Sequence, residues 1–326
     1  MELKLGQRIG RAVLLEGLTC HLPFGSCRLA LTSSPAGIEL RRLRRSPDVD
    51  DVELSDRIYS RRRAERRPVV QESLGSLPLL DVTVHEGFVY GLEAYGGRLT
   101  LNDVARRSKS AGGALPWAAI LGLVAPYVAQ CRLAASDVDD TPMGLSNSLA
   151  LCARTDGTVW WEWPTFYVQE DCRTGVLGTQ DFFCFSPTPG NRVVGWMWHL
   201  SRILLGLAMG ESFAGAGGRF LLDLPGRIER LQELVPSSVL PLMQNCFARP
   251  CAYAHWDELW VDFHDAQRAE GVLSTAELGS LLRQLAPEEA AFEDELLEQV
   301  SLLPADFLDD DDAYVGAQHR AFIERS

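Results

Sequence analysis

Leu145 to Pro164 reads LSNSLALCARTDGTVWWEWP, two short extended runs joined by a turn. Leu149 to Cys152 is apolar, and Thr155-Asp156-Gly157-Thr158 carries the Asp-Gly signal of a tight hairpin. Val159 to Trp163 is β-branched and aromatic, and Pro164, which has no N–H to give a ladder, ends the run. Strand-like sequence precedes this hairpin and helix-rich, largely apolar sequence follows it. The hairpin therefore sits where the two halves meet.

Upstream, Gln7 to Leu31 has strand character, with a Pro23-Phe24-Gly25 turn, and Gly37 to Leu43 predicts a further strand. Val52 to Arg67 predicts a helix ended by Pro68. Leu77 to Val84 and Gly87 to Leu92 form a strand pair around His85-Glu86-Gly87, and Tyr95-Gly96-Gly97 reads as a linker. Beyond it, Thr100 to Ser110 is an amphipathic helix capped by Thr100 or Asn102, and Leu115 to Ala135 is an apolar helix. Downstream of the hairpin, Thr165 to Asn191 is loop-like. Val193 to Met209, Val235 to Ala248, Trp256 to Ala269, Thr275 to Leu285 and Glu288 to Leu303 follow as helices.

The chain has 326 residues, 46% of them hydrophobic, and a net charge of −13. That balance disfavours general nucleic-acid binding. The charge is uneven: ten arginines lie between Arg41 and Arg67, and thirteen acids between Glu270 and Asp312. These blocks are either two solvated faces or surfaces that dock on each other or on a partner. Lys4 and Lys109 are the only lysines, and the arginine, alanine, leucine and glycine bias suggests a high-GC bacterial source. The eight cysteines form no Cys-x-x-Cys pair and no histidine completes a zinc spacing, so free thiols in a reducing cytosol are expected. Met1 to Arg11 is polar and does not resemble a signal peptide. Ala114 to Cys131 is eighteen residues without a charge, but it contains Pro116 and Pro126 and has no basic flank. A buried central helix is expected there rather than a membrane span.

A β-rich part with one helix, a hinge, then a helical part holding one hairpin is the order of a protein kinase. The chain resembles the bacterial Ser/Thr protein kinases of the eukaryotic (Hanks) type over roughly Leu5 to Ala266. Phe24-Gly25-Ser26-Cys27 is similar to the end of the glycine-rich loop, and Ile38 to Leu43 to the third strand. Phe88 to Tyr95 resembles the fifth strand, with Leu92 as gatekeeper and Glu93 at the hinge. Asn147 falls at the second metal-binding asparagine, and Asp156-Gly157-Thr158-Val159 is similar to the turn after the catalytic loop. Gly178-Thr179 and Phe185 to Thr188 resemble the end of the activation segment, and Trp198 to Gly210 the buried helix after it.

Phosphoryl transfer needs a backbone cradle for phosphates, a lysine, metal ligands and a catalytic carboxylate. Against that pattern, Cys20 and Leu22 replace two loop glycines and only Gly25 remains, which an ordinary turn would also explain. No lysine lies on the third strand; Arg41 stands nearest, and arginine is no conservative substitute. Pro142 falls at the catalytic aspartate, and Asp139 or Asp140 would serve only with a slip. The metal-ligand aspartate aligns with Trp163, or with Glu162 after a one-residue slip. The ion pair that closes the activation segment aligns with Thr188 and Tyr253, and the aspartate opening the buried helix with Trp196. Losing both members of a buried pair together is tolerable, because neither charge is stranded.

The expectation is an α+β, two-lobed protein kinase-like fold. A β-rich N-lobe takes residues 1–95, a helical C-lobe 96–269 and an acidic helical extension 270–326. The resemblance implies a catalytically inactive pseudokinase that binds a protein partner as scaffold or allosteric regulator, with no nucleic acid and no membrane span. A homodimer is compatible with this, and the cytoplasm is the expected compartment. Neither cofactor nor metal is expected. The alternative is a divergent nucleotide-dependent transferase in which Gly25, Arg41, Glu93, Asn147 and Glu162 would form the site.

Overall fold

The computed structural model describes residues 3–21, 26–45, 79–136, 151–161, 192–210, 233–248 and 251–308. By contacts the chain divides into two units: residues 1–73, 77–98 and 288–326, and residues 74–76 and 99–287. Among the described residues the architecture is mixed α+β, with a six-stranded antiparallel sheet first and helices later.

In the first unit the strands are β1 (Leu5–Ile9), β2 (Ala12–His21), β3 (Ser26–Ser34), β4 (Gly37–Arg45), β5 (Leu79–His85) and β6 (Phe88–Ala94). Their order in the sheet is β1-β2-β3-β4-β6-β5, with every neighbouring pair antiparallel. Among the described residues the expected strands of this unit form; the Pro23-Phe24-Gly25 turn and residues 77–78 lie outside them. The His85-Glu86-Gly87-Phe88 turn works because Glu86 (φ 50°) and Gly87 (φ 79°) both take the left-handed backbone that a two-residue hairpin favours. The two edge strands meet through side chains. Gln7 Nε2 lies 2.7 Å from His85 Nε2, and Arg11 Nε is 3.3 Å from Asp81 Oδ2. A Cβ on Gly10, whose φ is +58°, would come within 3.0 Å of Thr83 Oγ1. The sheet is therefore curled, which shields both edges.

Strand alternation divides this unit's chemistry between two faces. One face buries Ile9, Ala12, Leu14, Ala30, Leu43 and Leu92 as an apolar cluster, with Leu80 and Tyr90 packed against it. The other carries Leu29 and Leu40 beside Arg42, Arg44 and Glu93, all of them buried.

The second unit holds β7 (Leu99–Thr100), α1 (Leu101–Ser110), α2 (Trp117–Ser136), β8 (Leu151–Ala153), β9 (Val159–Trp161), α3 (Arg192–Met209), α4 (Leu240–Phe247), α5 (Trp256–Glu270) and α6 (Thr275–Leu285). Thr100 is the α1 cap: its Oγ1 accepts from Asp103 N–H at 3.1 Å while Asp103 Oδ2 accepts from Thr100 N–H. The apolar α2 is the centre of this unit's core. It packs on α3, α5 and β9, and Ile120, Leu123, Val124, Tyr127 and Val128 are hidden from solvent. The Trp256 indole donates to the Val128 carbonyl at 3.1 Å, which ties α5 to α2. Among the described residues no helix is long and apolar enough to cross a membrane. α4 begins at Leu240, later than the sequence expectation of Val235, because Pro241 lacks an N–H and fits only in a first turn.

The first unit's stretch 77–98 ends at Arg98, and residues 99–287 belong to the second. The residues of the acidic run 270–326 fall in both units. α6 belongs with the second, whereas α7 (Pro287–Ser301) goes with the first from Glu288 onward. There the Arg98 guanidinium lies over the Phe292 ring at 4.3 Å, and Arg8 donates to the Leu308 carbonyl.

Candidate functional site

Of the five residues expected to matter if nucleotide binds, Arg41 and Glu93 are described; Gly25, Asn147 and Glu162 lie outside the described residues. So do Pro142, Thr188 and the predicted helix Val52 to Arg67.

The register of β4 on β6 separates the two that are described. Arg42 is the cross-strand partner of Glu93, and Arg41 of Ala94. Directly opposed residues share a face and sequence neighbours do not. Arg41 and Glu93 therefore lie on opposite faces of the sheet. Arg41 pairs with Glu39 two positions back. Burial lowers the Arg41 pKa and the positive charge of Arg11 adds to that, although an arginine stays protonated regardless.

Glu93 instead meets two arginines absent from the expected set. Its Oε2 is 3.8 Å from Arg42 Nη2, and its Oε1 is 3.4 Å from Arg44 Nε. Arg44 Nη2 also donates to Oε2 at 3.4 Å. Arg42 is 0% exposed, Arg44 1% and Glu93 3%. Arg42 Nε donates to the Cys27 thiol sulfur at 3.4 Å, bringing β3 into the cluster. Two guanidinium groups and one carboxylate are thus held on one sheet face by three adjacent strands. A period-two reading from Leu40 would have found Arg42 and Arg44 in the sequence. Their link to Glu93 needs the register.

This constellation can neutralise and orient charge, and it can pin β3, β4 and β6 together. It contains no general base, because its one carboxylate is engaged by arginines. Among the described residues no group of three or more His, Cys, Asp or Glu side chains could hold a metal ion.

In the second unit, Tyr253 is where the resemblance places an arginine. Its hydroxyl donates to Asp262 Oδ2 at 2.6 Å, and burial followed by this bond raises its pKa. A neutral donor here satisfies an acid of the same helical region. A cavity of about 340 Å³ lies where the end of α1 meets the end of α3, lined by Lys109, Gly112, Gly113, Ala208, Met209 and Leu234. Lys109 is the one ionisable group among these lining residues, and a lone cation without an acid or a nucleophile beside it assembles no catalytic set. Compared with known proteins, the chain matches no family model and no curated protein.

Proposed function

We propose that the chain is a pseudokinase, a kinase-like chain that works by binding a protein partner rather than by transferring phosphate. The observation that carries this reading is the state of β4, the strand that resembles the lysine-bearing strand of kinases. It has no lysine, and two of its arginines are spent on Glu93 in a buried cluster. A charge sequestered in this way is a structural tie rather than a phosphate ligand.

Other features support it. A sheet followed by a linker, two helices, a short hairpin and a further run of helices is the order that the resemblance implies. Tyr253 stands in place of an ion-pairing arginine and has a local acceptor, in keeping with a fold kept without its catalytic wiring. The partner is read as a signalling protein, such as an active kinase, met in the cytoplasm.

Titration of the full chain with ATP and Mg²⁺ or Mn²⁺, read by calorimetry and thermal shift, tests the reading. Millimolar nucleotide is expected to give no heat and no shift in Tm. Metal-dependent binding followed by labelling of a substrate from radiolabelled ATP would favour the transferase alternative instead.

A further inference from the structure

The Asp156-Gly157 turn between β8 and β9 is seated on α6. Gly157 is buried, with φ +90°, and a Cβ there would overlap the Thr275 carbonyl oxygen in the first turn of α6. Reciprocally, Gly279 is buried within α6, and a Cβ on it would lie 2.6 Å from the Asp156 carbonyl carbon and oxygen. Real Cβ atoms do not approach backbone so closely, and backbone cannot swing aside as a side-chain tip can. Two glycines, one on each partner, therefore allow the turn and the helix to touch main chain to main chain.

Each side is shaped for the contact. Asp156 Oδ1 accepts from Thr158 N–H at 2.8 Å, and Arg154 Nη2 lies 3.1 Å from Asp156 Oδ2, so the turn is held from within. The start of α6 is fixed by Ser274 and Glu277, which cap each other's backbone. Leu278 then packs toward α2, where a Cβ on Gly122 would meet its Cδ1 at 3.3 Å. Glycine is the poorest ordinary residue for a helix interior, so its presence at position 279 calls for a reason of this kind.

We propose that α6 is a clasp on the β8–β9 hairpin: the order of the hairpin is conditional on the helix, through the Gly157–Gly279 contact. The hairpin strands are only three residues each, and β7, which pairs with β8, has only two, so the hairpin depends on what packs against it. The Gly157–Gly279 contact holds whether or not the chain is a pseudokinase. It turns α6 from a docking surface into a handle, since whatever lifts the helix loosens the hairpin.

Gly279→Ala in the full chain separates the two views by sign. On a helix with nothing opposite, alanine raises helix propensity and Tm rises. With the clasp, Tm falls by several degrees, and hydrogen exchange at the Arg154 and Gly157 amides speeds up about tenfold. Ser280→Ala, at the exposed neighbouring position, is the control and does not lower Tm. Should Gly279→Ala not fold, Ser274→Ala weakens the helix start alone. Hairpin amides are then expected to exchange faster together with those of α6. A Tm unchanged or raised in Gly279→Ala, or hairpin exchange at native rates while α6 loosens, overturns the proposal.

Discussion

At Glu93 one carboxylate lies between the guanidinium groups of Arg42 and Arg44 with almost no access to water. Burying charge is costly, and removing one partner from such a set strands the rest. Glu93→Ala is therefore expected to destabilise the chain by about 3–5 kcal/mol, measured by urea unfolding. Arg41→Ala, on the opposite face and paired with partly exposed Glu39, is expected to cost far less in the same experiment. Glu277 gives a second case at this scale. Hydrogen bonds from the Ser274 backbone and hydroxyl lower its carboxyl pKa below the ordinary 4.5. A carboxylate with a depressed folded pKa contributes stability above its unfolded value and loses it as pH falls through the folded one. Ser274→Ala should return the Glu277 pKa toward 4.5 in an NMR titration, and narrow that acid window.

Among the elements, α1 and the six-stranded sheet show local sequence and packing in agreement. Thr100 and Asp103 cap α1 reciprocally, so Thr100→Ala is expected to cost about 1 kcal/mol in thermal unfolding. Strand-favouring runs bounded by turn signals, the His85-Glu86-Gly87 turn among them, made β2 to β6 legible, because a tight hairpin must have left-handed residues. The α2 helix was ambiguous from sequence, since a continuous apolar run suits a membrane or a protein interior. Packing by α3, α5 and β9 makes it a core helix.

For the whole molecule, the buried thiols and phenols set the response to alkali. Burial raises the pKa of Cys131, Cys246, Tyr127 and Tyr253 above their ordinary values of 9.0 and 10.0. The sign follows from linkage: native groups keep protons that the unfolded chain gives up, so stability is full below the unfolded values and declines as pH rises through and beyond them. Urea midpoints are expected to be flat between pH 7 and about 8.5, and to fall steadily above about 9. Midpoints that hold constant to pH 11 would show that these side chains are not sequestered.

The sequence by itself determined the elements, which runs are strands and which are helices, and the absence of lysine from β4; the caps of α1 and α6 came from the structure. Each of those depends on residues close together along the chain. The tertiary structure alone decided which charges meet. Arg41 was chosen as the arginine nearest the lysine position, and only the β4–β6 register showed that Glu93 faces Arg42 and Arg44. Likewise Gly157 announced a turn, but nothing near it in sequence told that Gly279 closes on it. Register and close backbone approach join residues far apart in the chain, and one-residue shifts invert a strand's faces, so no local pattern encodes them.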